Sequence, residues 1–146
     1  MLFHHFHRDA IRTIVLSTLL MIPTSSNFSF AAQPDTAQSI ANLNSTSFMK
    51  VLTNGKYSLI EFGGRRCIPC RQMQPILTAL NMNLAASVNI FNVYVDEERD
   101  LTRNYRINLI PTQIIFDNRG KELTRHVGYW EKDKLVAELR KLRIVK

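Results

Sequence analysis

Hydrophobic positions along the chain recur with the periods of strands and helices. Apolar residues dominate 58–62 and 112–116 and alternate with polar ones over 88–95, which is typical of strands in a buried sheet. A turn signature at 117–120 separates the last of these strands from 121–127, and this predicts a hairpin. The pattern therefore predicts a sheet of about four strands.

Helical spacing accounts for the segments between these strands. Apolar residues recur every three or four positions over 67–85 and again over 131–143, so one face of each helix should pack on the sheet. A helix that follows the N-cap candidates of 44–47 and a short helix opened by the acidic residues of 96–100 complete the predicted elements.

The resulting order is helix, strand, helix, strand, helix, strand, strand, helix. It predicts an α/β fold with a mixed central sheet of about four strands and helices on both faces. The first two strands are joined by a helix and should be parallel, because a right-handed crossover returns the chain in the same direction. The last two strands form a hairpin and should add an antiparallel edge.

The N-terminal segment has the pattern of an export signal. Basic residues precede an apolar run at 13–22, which is shorter than the roughly 20 residues of a comfortable transmembrane helix. Polar residues follow, and Ser29 and Ala31 are small residues at the positions that a signal peptidase reads. We interpret 1–31 as a signal peptide, 32–44 as a flexible leader and 45–146 as one domain. We expect an exported, periplasmic or extracytoplasmic protein. The alternative is an uncleaved membrane anchor formed by 13–22.

Composition and charge narrow the function classes only slightly. The 146 residues carry a formal net charge of +7 and are 45% hydrophobic, which is enough for the core of one domain. The basic residues are scattered and form no continuous tract, so we expect a solvated basic surface and no nucleic-acid partner. We expect the domain to be a monomer.

The two cysteines of the chain stand as Cys67-Ile68-Pro69-Cys70, after a predicted strand, two glycines and two arginines. A strand that leads through a turn into a helix places Cys67 near the helix N-terminus. There the free N–H groups and the helix dipole favour negative charge. This position should lower the pKa of Cys67 and make it the nucleophile, while Cys70 lies one turn later and can close a disulfide.

Other uses of a Cys-x-x-Cys pair agree less well with the sequence. A structural zinc site generally needs four ligands, and beyond the two cysteines the predicted mature chain offers only His126. Covalent haem attachment needs a histidine after the second cysteine, where this chain has Arg71. A purely structural disulfide gains little from so short a loop. We therefore predict a redox-active pair without a metal or a cofactor.

The stretch around the cysteines resembles the thioredoxin superfamily, and the resemblance covers roughly residues 45–146. Pro75 stands at the position of that family's helix proline, Ile110-Pro111-Thr112 resembles its cis-proline turn, and Tyr105-Arg106-Ile107 is similar to the family pattern upstream of that turn. The resemblance implies the thioredoxin fold and thiol:disulfide exchange.

The resemblance also implies roles for individual residues. Cys67 attacks, and Cys70 resolves the mixed disulfide. Glu61 stands where many thioredoxins have a buried aspartate that moves protons at the resolving cysteine, and burial would raise its pKa for that task. The alternative is a strand-end glutamate that reaches solvent. The substrate-binding residues that the resemblance implies are Ile110, Pro111, Arg66 and Ile68.

Departures from the family pattern bear on the direction of electron flow. Arg66 replaces the typical tryptophan and, with Arg65, should stabilise the Cys67 thiolate, which favours an oxidase or isomerase. A proline just before the second cysteine, here Pro69, resembles the pattern of the superfamily's reductants. Pro69 also withholds one backbone N–H from the thiolate, which weakly favours the disulfide form and so a reductase. Asn92 stands where thioredoxins often carry a lysine near the buried acid.

The balance of these features favours a reductase. We expect it to reduce disulfides of exported client proteins. The chain has no glycine-rich phosphate loop, so its electrons should come from another protein, a membrane electron-transfer reductase. The alternatives are a periplasmic disulfide oxidase or isomerase, and a non-catalytic thioredoxin-fold binding module. Membrane contact is expected only through an uncleaved N-terminal segment.

Overall fold

The computed structural model describes residues 40–146, so the predicted signal peptide, 1–31, lies outside the described residues. The helices are α1 (Ser45–Leu52), α2 (Ile68–Leu84), α3 (Arg99–Asn104) and α4 (Lys132–Lys141). The strands are β1 (Tyr57–Gly63), β2 (Val88–Tyr94), β3 (Thr112–Phe116) and β4 (Glu122–Val127). The element order predicted from the hydrophobic pattern is confirmed. No helix in the described range is long and apolar enough to cross a membrane.

β1 lies inside a four-stranded sheet of order β2-β1-β3-β4 in the described chain. It pairs in parallel with β2 and antiparallel with β3, and β3 pairs antiparallel with β4. The predicted parallel crossover and the predicted antiparallel hairpin are therefore both present. All residues of β1 after Tyr57 are buried, since neighbouring strands cover both of its edges and helices cover both of its faces.

The sheet separates two apolar clusters. Successive side chains of a strand point to opposite faces, so Leu59 and Ile60 enter different clusters. On the Leu59 side the sheet packs against α2 and α4, through residues such as Leu77 and Leu139. On the Ile60 side it packs against α1 and α3. Helices thus cover both faces, as the order of elements predicted.

Phe48 fills the centre of the second cluster. Its ring contacts three aromatic neighbours from different parts of the chain, with centroid distances of 5.0 Å to Tyr105, 6.1 Å to Phe62 and 6.2 Å to Phe116. α1 therefore joins the sheet through one large aromatic side chain, and the same contact orients the segment that follows α3.

Residues 40–44, which the sequence assigned to the flexible leader, belong to the folded domain. Ile40 and Leu43 are buried in the two clusters. The N–H of Asn92 donates to the Ala41 carbonyl at 3.0 Å, and the N–H of Leu43 donates to the Asn92 carbonyl at 2.7 Å. The segment is held because it pairs with the open edge of β2 and buries two apolar side chains.

Two helix boundaries differ from the prediction for local reasons. α3 begins at Arg99 and not at the start of the acidic run, because the N–H of Glu98 donates to the Tyr94 carbonyl within a turn. α4 ends at Lys141, since Arg143 adopts a left-handed backbone with φ of 58°. Such a residue ends a helix by bringing later N–H groups back to its last carbonyls.

We expect Phe48→Ala to lower the free energy of unfolding by about 3–5 kcal/mol, because it removes a fully buried aromatic side chain and leaves a cavity. Urea-induced unfolding, followed by circular dichroism, measures the loss. The matched control is Met49→Ala, one residue along the same helix, where the side chain is 57% exposed; this change should stay within about 0.5 kcal/mol. Equal losses in the two variants would contradict the proposed role of Phe48 in the core.

Candidate active site

Cys67 is the N-cap residue of α2, the position that the sequence predicted near the helix N-terminus. Its Sγ accepts the backbone N–H of Cys70 at 3.2 Å. Ile68 and Pro69 occupy the first helical positions, where a missing proline N–H costs no intrahelical hydrogen bond. Cys67 and Cys70 are joined by a disulfide, with their Cα atoms 5.2 Å apart.

The two sulfur-bearing residues differ in accessibility. Cys67 is half-buried, whereas Cys70 is only 3% exposed. An incoming sulfur atom can therefore approach Cys67 from solvent but not Cys70. In the reduced protein this asymmetry favours Cys67 as the attacking thiolate and Cys70 as the internal resolving thiol.

A groove beside Cys67 brings together two of the predicted substrate-binding residues, Arg66 and Ile110. The peptide bond between Ile110 and Pro111 is cis, as the resemblance implied. Pro111 itself is buried, so its cis bond fixes the turn without exposing the proline ring to solvent. Ile68 does not line this groove; it is 63% exposed on the first turn of α2.

Gly64 allows the two sides of the groove to approach closely. A Cβ atom at this position would lie 3.2 Å from Cδ1 of Ile110, a contact that would require the neighbouring side chain to shift. Gly64 and the side chain of Ile110 therefore pack closely where the turn before the cysteines faces the cis-proline turn.

Arg65 and Arg66 have different surroundings, although the sequence treated them together. The guanidinium of Arg65 donates to Glu97 Oε1 at 2.9 and 3.1 Å and stacks 4.1 Å above the centre of the Tyr94 ring. Its charge is therefore offset by a neighbouring carboxylate. Arg66 is exposed, and both arginines line the groove beside Cys67 together with Asp96. The two arginines differ in that Arg65 is paired with Glu97.

Glu61 is buried and does not reach solvent as an ordinary strand-end glutamate would. It is 1% exposed at the centre of the sheet. Burial raises the pKa of its carboxyl from 4.5 to about 7, because the charged form loses hydration. The amide nitrogens of Gln113, 3.5 Å from Oε2, and of Gln74, 3.4 Å from Oε1, oppose this shift only in part.

The side chains of Glu61 and Cys70 both lie beside Gly63. A Cβ atom at Gly63 would lie 3.1 Å from Oε1 of Glu61 and 3.4 Å from Sγ of Cys70, so no side chain separates the carboxyl from the resolving sulfur. The same residues line a small polar cavity of about 40 Å³, which exceeds the volume that one water molecule needs. The arrangement permits proton exchange between the carboxyl and the sulfur.

Two functional candidates were missed by the sequence reasoning, Gln74 and Gln113. Gln74 lies on the face of α2 above Glu61 and exchanges hydrogen bonds with Asn92 at 3.1 and 3.2 Å. Gln113 lies opposite Glu61 in the pairing of β1 with β3. For Gln113 the available signal was an amide in a strand that the pattern predicts to be buried. Gln74 is half-buried beside the apolar face of α2, and its position in the sequence gave no comparable signal.

Potential metal ligands do not gather in the described part of the chain. Among residues 40–146, no group of three or more histidine, cysteine, aspartate or glutamate side chains is arranged to hold a metal ion.

Comparisons with known proteins agree with this geometry. The thioredoxin family model matches residues 39–141. The thioredoxin of Alicyclobacillus acidocaldarius is 32% identical over 97 residues, which cover 66% of this chain and 91% of that protein. The thioredoxin of Chlamydia trachomatis is 37% identical over 83 residues, which cover 57% of this chain and 79% of that protein.

A solved structure gives the same result for the fold. The oxidised mitochondrial thioredoxin 3 of Saccharomyces cerevisiae superimposes with a TM-score of 0.63 at 25% identity, and the match covers 70% of this chain and 94% of that one. The family match spans more than half of the chain and includes both cysteines. The chain therefore belongs to the thioredoxin family, and it is a thiol:disulfide oxidoreductase that works through Cys67 and Cys70.

Proposed function

We propose that this oxidoreductase is exported and reduces disulfide bonds of exported client proteins, with a membrane electron-transfer protein as its own reductant. The proposal of export rests on the signal-peptide pattern of 1–31. The proposal of a membrane donor follows from export, because a reductant outside the cytoplasm must receive electrons from elsewhere.

The ion pair of Arg65 with Glu97 is the observation that most favours a reductase. A disulfide becomes more oxidising when its thiolate form is stabilised. The sequence predicts that Arg65 and Arg66 stabilise the thiolate, but Glu97 lies 2.9 Å from Arg65 and offsets its charge. Pro69 also lacks the N–H that another residue would offer to the thiolate. Both features leave the reduced state less stabilised and the protein more reducing.

Reduction of a client proceeds in two exchanges. The Cys67 thiolate attacks one sulfur of the client disulfide, forms a mixed disulfide and releases the other client sulfur as a thiolate, which takes up a proton. Cys70 then loses its proton and attacks Cys67 Sγ, which re-forms the internal disulfide and releases the second client thiolate. Two electrons pass to the client, and a dithiol donor restores the Cys67–Cys70 pair.

Glu61 is the group we assign to the proton of Cys70. Its carboxyl converges with Cys70 Sγ at Gly63, and its pKa of about 7 lets it exchange a proton near neutral pH. The polar cavity between the two groups has room for a bridging water. As a carboxylate, Glu61 would accept the Cys70 proton before the resolving attack.

The groove beside Cys67 is the client site in this proposal. Ile110 lines this groove beside the half-buried cysteine, and Ile68 presents apolar surface on the adjoining first turn of α2. Arg65 and Arg66 also line the groove, and Asp96 adds an acidic side chain. An extended segment of the client could pair with the backbone at the cis-proline turn and place its disulfide over Cys67.

A disulfide oxidase or isomerase is the second candidate. The Cys67 sulfur accepts an N–H at the N-terminus of α2, and Arg66 is exposed in the same groove. Both features stabilise a thiolate and so favour an oxidising disulfide.

The reduction potential of the Cys67–Cys70 pair separates these two functions. Equilibration of the mature fragment with dithiothreitol or glutathione buffers should give a value near or below the roughly −270 mV of thioredoxin. A value near the roughly −120 mV of the strong periplasmic oxidase would contradict the reductase proposal. In that case Arg66 and the helix N-terminus would dominate over the effects of Pro69 and Glu97.

Cysteine variants test the assignment of attacking and resolving sulfurs. We expect Cys67→Ser to abolish the acceleration of insulin reduction by dithiothreitol, since it removes the accessible nucleophile. Cys70→Ser should instead accumulate a mixed disulfide with the substrate, visible by mass spectrometry, because nothing remains to resolve it. Full biological activity of Cys67→Ser would support a non-catalytic binding module in place of an enzyme.

We expect Glu61→Gln to stabilise the oxidised protein above pH 7 and to slow resolution of the mixed disulfide. In the wild type, the folded carboxyl binds its proton up to about pH 7, whereas the unfolded carboxyl loses it near 4.5. Stability therefore falls as pH rises between these values, by about 3 kcal/mol in total. Unfolding measured at pH 4 and pH 8 should show a gain for the variant only at pH 8.

The matched control for this change is Glu97→Gln, since the side chain of Glu97 is 50% exposed. Its free energy of unfolding should stay within about 0.5 kcal/mol of the wild-type value at each pH, as is usual for a surface substitution. A Glu61→Gln variant whose stability parallels that of the wild type at both pH values would show that the folded carboxyl titrates as it does in the unfolded chain. Unchanged resolution kinetics would remove Glu61 from the proton transfer.

A further inference from the structure

Gln113 is a fully buried polar residue that the thiol chemistry described so far does not use. It lies opposite Glu61 in the pairing of β1 with β3 and opposite His126 in the pairing of β3 with β4. Asn92 lies opposite Glu61 on the other side. Directly paired residues share one face of a sheet, so these four polar side chains form a row across all four strands of the described sheet.

The Gln113 amide can be placed in two orientations, which differ by exchange of its oxygen and nitrogen. In one, the nitrogen lies 3.5 Å from Glu61 Oε2, at the outer limit of a hydrogen bond, and the amide oxygen faces other acceptors. In the other, the nitrogen donates to the backbone carbonyls of His126 and Gly128, each at 3.3 Å. The second orientation makes two hydrogen bonds in place of one and removes the contact of the amide oxygen with the carbonyl oxygens of His126 and Gly128.

The second orientation turns the amide oxygen of Gln113 toward Glu61 Oε2. Two acceptor oxygens repel each other when the carboxyl is ionised, and in a buried site that repulsion is poorly screened. When the carboxyl carries a proton on Oε2, the same contact becomes an O–H donor facing an amide oxygen. In this orientation the contact therefore favours the protonated carboxyl over the carboxylate.

We propose that Gln113 is a positioning residue that holds Glu61 in its protonated form by offering it an amide oxygen that the carbonyls of His126 and Gly128 keep in place. This inference deepens the proposed function, since it rests on the role of Glu61 as the proton carrier for Cys70. Only the fraction of Glu61 that has lost its proton can accept the proton of Cys70, so Gln113 sets how much of the protein is ready for the resolving attack at a given pH.

Gln74 contacts the other carboxyl oxygen with the opposite polarity. Its nitrogen donates to Glu61 Oε1 at 3.4 Å and to Asn92 Oδ1 at 3.2 Å, and its oxygen accepts from Asn92 Nδ2 at 3.1 Å. Gln74 thus offers Glu61 its amide nitrogen, while its remaining hydrogen bonds go to Asn92. A protonated Glu61 satisfies both neighbours, because it accepts at Oε1 and donates at Oε2.

Other charged or titratable groups around the carboxyl come from three elements and one turn. Cys70 and Arg71 from α2, Arg65 from the turn before it and Tyr94 from β2 line the adjoining cavity. His126 on β4 follows Gln113 in the row. In the oxidised protein Cys70 drops out of this set, because a cysteine in a disulfide does not titrate.

The test compares two matched variants of the oxidised full-length protein, Gln113→Met and Gln74→Met. The Glu61 carboxyl is titrated by NMR with carboxyl-labelled glutamate, and its resonance is assigned with Glu61→Gln. We expect Gln113→Met to lower the pKa of Glu61, by about one pH unit or tenfold in the ionisation constant, because it removes the amide oxygen. Gln74→Met should raise the pKa, because it removes a donor.

A merely structural role of Gln113 would not change the pKa of Glu61 in the opposite direction to Gln74→Met. A rise of the pKa in Gln113→Met would overturn the proposal, since it would mean that the amide nitrogen faces the carboxyl. This titration needs neither a client nor an electron donor, so its outcome is independent of the direction of electron flow. If the two pKa changes have the expected signs but the reduction potential of the Cys67–Cys70 pair is oxidising, only the reductase proposal is contradicted.

A second measurement uses the wild-type protein in case Gln113→Met does not fold. Nuclear Overhauser contacts from the Gln113 side-chain amide protons to the Gly128 Hα protons are expected, because the nitrogen lies 3.3 Å from the Gly128 carbonyl oxygen in the proposed orientation. Contacts to the Glu61 Hγ protons in their place would overturn the proposal.

Discussion

The complete burial of β1 is the constraint on which the site depends. Strands pair with both edges of β1, and helices cover both faces. Any polar side chain in this strand must therefore find partners inside the protein. Glu61 occupies such a position, and β1 continues through Gly63 and Gly64 directly into the turn before Cys67. The same strand thus sets the protonation of the acid and places the disulfide at a helix N-terminus.

Much of this arrangement follows from local features of the sequence. The apolar run of β1, the two glycines and the Cys-x-x-Cys pair place Cys67 at the start of α2, because strand, turn and helix signals follow one another without a gap. The order of elements then determines a mixed sheet, since a crossover helix makes β1 and β2 parallel and a short turn makes β3 and β4 antiparallel. Sequence spacing is sufficient where the neighbours in space are also neighbours along the chain.

The features that could not be predicted depend on residues distant in sequence. Arg65 and Arg66 are equivalent in the sequence, and only the position of Glu97 after β2 distinguishes them. Residues 40–44 are polar enough to suggest a leader, yet the open edge of β2 gives their backbone a partner. Gln113 lies in a strand correctly predicted as buried, but its partners on β1 and β4 become known only when the strand order and register are established.

The charge of Glu61 bears directly on how reducing the Cys67–Cys70 pair can be. An ionised carboxylate beside Cys70 raises the free energy of a nearby thiolate, and the site can avoid this repulsion by joining the sulfurs in a disulfide. A carboxylate at this position therefore favours electron donation, whereas Arg66 near Cys67 opposes it.

Because burial brings the pKa of Glu61 to about 7, the balance between these opposing charges changes near neutral pH. The amides on either side of the carboxyl then matter for redox chemistry although they never touch a substrate. By shifting the pH at which Glu61 ionises, they shift the pH at which the dithiol is most strongly driven toward the disulfide.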